Sequence, residues 1–268
     1  LCLWQLGFAA GRVIFANQNV AMRTLVSLLI LLTAWALAPG QSTPAMPVLG
    51  LHFCAGVQLP GGELAERFGL NANIGLGIDV LTSKNWIAGL EGSFLFGQDV
   101  REDVLTPLRT PEGLLVSDSR VLADVLLRER GFYAGAMVGK LFPVFSSGAR
   151  SGIRVTAGGG LLQHKIRLQD DPDAPTASLT TEYKKGYDHL SNGPAISGFV
   201  GYQHLSRDRL VNFIAGMEVV HGFTQSRRSF NFDTRSAYTA RRSDTLFGLR
   251  IGLTLPFYFG DTGEEFLY

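Results

Sequence analysis

The chain has 268 residues, 46% hydrophobic and 18% charged, with 24 basic and 23 acidic side chains. Near-neutral charge removes the electrostatic case for a nucleic-acid partner, and two cysteines are too few for a disulfide-stapled fold. Glycine is abundant, at 32 residues against ~7% in ordinary chains, yet no internal run reaches the ~20 apolar residues of a membrane helix.

Met22-Arg23-Thr24 precedes an apolar run from Leu25 to Ala38 and then the small residues Pro39-Gly40. This is the order of a secretory signal peptide. Residues 1–21 are expected to be upstream sequence, 22–40 the signal with its cut after Gly40, and 41–47 a short lead. Cys54 would then stand alone in the exported chain.

Beyond Gln41 the period is two, which marks strands with chemically different faces. Eight segments follow in chain order. The first carries Leu49, Leu51, Phe53, Ala55 and Val57 on its apolar face, and the next run Asn73 to Leu81, Trp86 to Gly97, Phe132 to Phe142 and Ile153 to His164. Ala195 to Leu205, Leu210 to Phe223 and a last segment from Phe247 to Phe259 complete the set. In the sixth, Phe199 and Val200 compete for the apolar face. Short links at 83–85, 143–152 and 206–209 alternate with long charged ones at 59–72, 98–131, 165–194 and 224–245. An up-and-down antiparallel arrangement gathers the short links at one end and the long ones at the other.

The more polar face carries Asp79, Glu91, Arg154, Glu218 and Arg250 among glycines. Charges amid small residues suit a crowded barrel interior and not a solvent surface. The expectation is therefore an all-β, eight-stranded, antiparallel up-and-down transmembrane barrel over 48–259, with four long extracellular loops and a tail at 260–268. These features resemble the small outer-membrane β-barrel proteins of Gram-negative bacteria, the porin-like barrel domains. The resemblance implies an outer-membrane location, contact with outer-membrane lipid and lipopolysaccharide, and passage through the export and barrel-assembly machinery. Such barrels commonly finish on an aromatic residue of the last strand, whereas here Phe257-Tyr258-Phe259 is followed by nine more residues ending Phe266-Leu267-Tyr268.

Three groups of residues are singled out. Asp79, Glu91, Arg154, Glu218 and Arg250 would form a lumen charge network, with Glu218 directly opposite Arg250 if their hairpin is centred on position 234. Trp86, Phe142, Phe257 and Tyr258 at the short-turn side, with Phe94, Phe96, Phe132, Phe223 and Phe247 at the other, would form two aromatic girdles at headgroup level. Arg227, Arg228, Arg241 and Arg242, with Phe230, Phe232 and Tyr238, could bind an anionic headgroup or a protein partner, since arginine forks match phosphate.

Enzyme signals are weak. Gly135 to Lys140 is one residue short of a phosphate loop, and Asp188-His189-Leu190-Ser191 holds triad residue types as mere loop neighbours. His164 and His189 are the first candidates for a lipid-modifying or proteolytic alternative. The five histidines are dispersed and show no metal cluster, and no cofactor is implied. The reading is a non-enzymatic barrel with a plugged polar lumen, serving envelope integrity, surface interaction or a secretion or envelope machine. A narrow pore for small solutes is the alternative.

Overall fold

The computed structural model describes residues 47–116, 122–123, 125–144, 150–170, 181–206, 211–236 and 241–259. The expected leader and residues 41–46, Tyr238 and the 260–268 tail lie outside the described residues.

Eight long strands close into one barrel: β1 (Val48–Gly62), β2 (Asn71–Leu81), β3 (Trp86–Gly97), β6 (Val125–Pro143), β7 (Gly152–Asp170), β8 (Ser191–Leu205), β9 (Asn212–Ser226) and β10 (Arg241–Tyr258). The two-residue strands β4 (Leu115–Val116) and β5 (Leu122–Ala123) pair with each other in the connection between β3 and β6. Every barrel strand pairs antiparallel with its neighbours, and β1 closes the ring on β10 from Val48↔Tyr258 to Gly62↔Asp244. Closure gives every barrel strand a neighbour on both sides, so the ring has no edge strand, as a sheet in hydrocarbon requires.

The strands run longer than their apolar stripes. β1 reaches Gly62, where a left-handed φ of 62° turns the chain into the short helix α1 (Leu64–Arg67). β6 and β7 are 19 residues each, so residues 125–131 and 165–170, expected as loop, are strand rising past the apolar stripe. The β7–β8 connection holds the second helix, α2 (Thr181–Tyr187).

Alternation decides which side chains face out. Ile74, Leu90, Val138, Ile196, Met217 and Ile251 are exposed, and their neighbours in sequence turn inward. β8 resolves as Phe199 in, at 3% exposure, and Val200 out, at 55%. Phe199 fits because Gly201 and Gly216 lie inward beside it. A Cβ on Gly201 would stand 2.6 Å from the Phe199 ring, and one on Gly216 would stand 2.4 Å from the Gly201 Cα.

The interior is layered, which departs from a uniformly polar lumen. At the short-turn end Val48, Leu81, Ile87, Leu141 and Leu205 form an apolar floor against which Tyr258 packs. At the long-loop end Leu95, Tyr133, Leu162, Ile166, Val220 and Leu246 point inward and pack with loop residues Leu64, Phe68, Val104, Leu105 and Tyr187. This upper cluster resembles the core of a soluble domain, formed because the loops fold over the barrel mouth. Between floor and cap lies a charged waist.

Candidate functional site: a sealed waist, a lipid belt and a loop latch

The waist contains two ion clusters. In the lower one Asp79 pairs with Arg154 and accepts from His52 Nε2 at 2.8 Å, while the Thr254 hydroxyl meets His52 Nδ1 at 2.9 Å. Arg154 also donates to Gln203 at 2.9 Å. In the upper one Arg250 reaches Glu91 at 2.9 Å and Glu218 at 3.4 Å, and its guanidinium lies 4.4 Å from the centre of the Phe199 ring. Gln58 and Asn73 each donate to Glu218 at 2.7 Å. All five charges expected in the lumen are thus inside the barrel.

The register differs by two residues along β10 from the sequence expectation. The hairpin of β9 and β10 is centred on position 233, so Glu218 faces Gly248 and Arg250 faces Gly216. The two charges meet on the diagonal, within reach of long side chains. The reason is the unequal share of the connection taken by each strand, which an assumed midpoint does not capture. A cavity of about 30 Å³ remains, lined by Cys54, Glu91, Met137, Glu218 and Arg250 among others. That is room for about one or two waters.

Outside, the aromatic residues keep a constant spacing. Trp86 and Phe96, Phe132 and Phe142, Phe213 and Phe223, and Phe247 and Phe257 all face outward, each pair ten residues apart on its strand. At ~3.3 Å per residue and a tilt of ~40°, ten residues rise about 25 Å, the height of an outer-membrane apolar band. At the lower rim the Lys140 ammonium lies 5.6 Å from the Trp86 ring centre and 5.7 Å from that of Phe142. At the upper rim Phe94 faces Phe132 directly. Tyr258 is the exception among the girdle residues: its inward parity sets it against the apolar floor.

Among the described residues of the basic loop, most of the arginines have partners within the protein. Arg228 forks onto Asp188 at 2.8 and 2.5 Å, Arg227 donates to Asn192, and Arg242 donates to the Glu63 carbonyl and approaches Asp244. Arg241 is exposed. Phe232 packs among Tyr183, Tyr187 and Phe230. Asp188 thus neutralises Arg228 from another connection, while Arg227 meets only the neutral Asn192 amide and Arg242 has Asp244 on its own strand.

The triad residue types at 188–191 are likewise employed otherwise, since Asp188 holds Arg228 and Ser191 donates its hydroxyl to the His189 carbonyl. His164 binds Asp244 at 2.8 Å beneath the cap. His189, held at a left-handed φ of 45°, stands between Glu102 at 3.2 Å and Asp233 at 2.9 Å. Arg67 donates to Glu102 at 2.6 Å and to the His189 carbonyl at 3.1 Å. Four connections meet there. Burial opposes charge on His189, but bonds to Glu102 and Asp233 outweigh it and raise its pKa. Burial likewise opposes charge on Glu102, yet His189 and Arg67 hold its carboxyl down at about 2.

Sequence reasoning missed this latch, which brings together ligand-type residues that the sequence shows as dispersed. Ligand-type atoms of Glu102, His189 and Asp233 lie within 4.8 Å of one another. The adjacent Arg67 guanidinium supplies the positive charge those carboxylates need, so the arrangement suits an imidazolium clamp better than a divalent cation. The sole sequence signal was that all four residues fall in long connections at the same end.

No family model matches the chain, and no curated protein matches it in sequence. Among solved structures it is similar to Ail, the attachment invasion locus protein of Yersinia pestis, crystallised in complex with the heparin analogue sucrose octasulfate. That match has 10% identity and a TM-score of 0.35, covering 78% of this chain and 99% of Ail. Neisserial surface protein A matches at 10% identity and a TM-score of 0.40, covering 78% of this chain and 97% of the other. For the present chain, the closed antiparallel ring and the apolar belt carry the assignment. It is an all-β, eight-stranded integral barrel of the outer-membrane type.

Proposed function

We propose that the protein is a sealed, non-enzymatic outer-membrane barrel that acts through its loop platform, in surface interaction or as an anchoring subunit of an envelope assembly. Export would use the 22–40 segment. The observation that supports this reading is the interior: an ion-paired waist between an apolar floor and an apolar cap, with about 30 Å³ left over. A conducting path would need paired charges to separate in a low-dielectric space, and it would still meet apolar side chains at both ends. The cap gives the loops a packed core of their own, so the outward surface is pre-organised for a partner.

Planar-bilayer recording tests the sealed state. The wild-type barrel and Glu218→Gln are both expected to show negligible conductance, because Arg250 keeps Glu91 and the apolar layers are untouched. Stepwise currents that grow in Glu218→Gln would instead establish the waist as a gate and favour the pore reading. Cross-linking in intact outer membranes then separates a lone surface barrel from a subunit, by the presence of a stoichiometric partner attached through the loops.

A further inference from the structure

Above the apolar belt, β6 and β7 carry an arrangement that strand pairing by itself disfavours. Arg128 faces Arg167 and Arg130 faces Lys165, in two successive outward pairs. Like charges directly opposite on a sheet destabilise it, and here four cations share one face. Among the described residues no carboxylate pairs with any of them. The neighbouring Glu129 turns inward, where Asn71 donates to it at 3.1 Å. Arg130 donates to the Glu129 main-chain carbonyl, which leaves its charge uncompensated, and the Arg128 Nε is enclosed without a hydrogen-bond partner. The outward neighbours are neutral: the Leu126 and Gln169 pair above, the Phe132 and Gln163 pair below, and Phe96 opposite Arg130.

The position is as informative as the charge. Arg130 is two residues above Phe132 on the same strand, about 5 Å along the bilayer normal, and Arg128 is about 5 Å higher. The cations therefore stand where the headgroup layer begins, on the wall of the barrel and not on its loops. The geometry points to Arg128, Arg130, Lys165 and Arg167 as a binding site for a phosphorylated saccharolipid headgroup of the outer leaflet, whose acyl chains lie along the apolar belt beneath. Guanidinium forks match phosphate oxygens, the two facing cation pairs, three arginines and one lysine, span more than one phosphate, and a bound anion relieves the repulsion that the register imposes. This rests on the membrane-barrel reading above.

The test uses the full chain and the combined variant Arg128→Gln, Arg130→Gln, Lys165→Gln, Arg167→Gln. Insertion into phosphatidylcholine liposomes is measured first, by heat-modifiable migration and protease protection. Failure of the wild type to insert rejects the membrane reading and the site with it. Inserted proteins are then titrated in micelles with bisphosphorylated lipid A, with dephosphorylated lipid A and with inorganic phosphate. The expected result is at least tenfold weaker lipid A binding for the variant, a similar loss on removing the lipid phosphates, and no competition by millimolar inorganic phosphate. The variant should also melt higher than wild type without lipid, with only the wild type gaining from lipid A. Equal binding by both proteins, or binding indifferent to the lipid's phosphates, overturns the site while leaving the barrel intact. Competition by inorganic phosphate makes it a free-anion site and overturns the lipid assignment. Should the fourfold variant fail to fold, the pair Arg128→Gln with Arg167→Gln carries the same expectations at a smaller fold-change.

Discussion

The waist and the latch use the same chemistry in different frames. Asp79, Arg154, Glu91, Glu218 and Arg250 project from hydrogen-bonded strands and are sealed above and below by apolar layers. Glu102, His189, Asp233 and Arg67 come from the connections above, with Glu102 about one-third exposed. Strand register dictates where the first set sits, so its ions have nowhere else to go. In the second set the ions help dictate where the loops sit. A buried pair on a rigid wall is a plug, and a similar pair between loops is a fastener whose hold depends on pH.

The largest expected effect breaks the first half of that comparison. Arg154→Met leaves Asp79 buried with His52 but without its guanidinium, and should destabilise the barrel by about 3–5 kcal/mol. Urea titration of the folded band in micelles measures it, and adding Asp79→Leu should restore most of the loss. If Arg154→Met is neutral, the waist does not hold the barrel together.

Next comes the contrast between inside and outside. Ile251 is 65% exposed and faces outward one residue from Arg250. Ile251→Arg should cost about 2–4 kcal/mol in a bilayer, the penalty for a cation near the midplane of the lipid face. An unchanged unfolding midpoint in liposomes would place that face in water. The parity of adjacent positions thus predicts opposite tolerance for the same side chain.

The smallest effect sharpens the latch. His189 has a raised pKa when clasped, so its contribution is complete below its ordinary value of ~6.5 and is lost as pH rises through the raised one. Glu102 is lowered from 4.5 to about 2, so its contribution is complete above 4.5 and is lost as pH falls toward 2. The latch should be tightest between about pH 4.5 and 6.5. Hydrogen exchange at 186–190 should slow in that window and quicken above it, and His189→Gln should flatten the dependence. A profile that stays bell-shaped in His189→Gln would assign it to other groups.

The barrel was legible because its dominant signal is local. Each strand meets lipid on one side and packed interior on the other, so parity appears in any ten residues, as it does from Phe247 to Phe257. Strand ends were less legible: above the belt both faces become polar, and Arg128 and Arg167 look like loop residues although they belong to 19-residue strands. Phe199 could not be placed from its own segment, because the space it fills comes from Gly216 on the next strand. For the latch, no spacing connects Glu102, His189 and Asp233.

The sequence by itself determined the number of barrel strands, the side that most of the apolar stripe faces and the end at which the long connections gather, since alternation and link length are properties of short stretches of chain. The tertiary structure alone decided the diagonal meeting of Glu218 with Arg250, the apolar floor and cap, the clasp around His189 and the facing cations above the belt. Those depend on register and on ring closure, which bring together residues up to two hundred positions apart, and no local pattern records that distance.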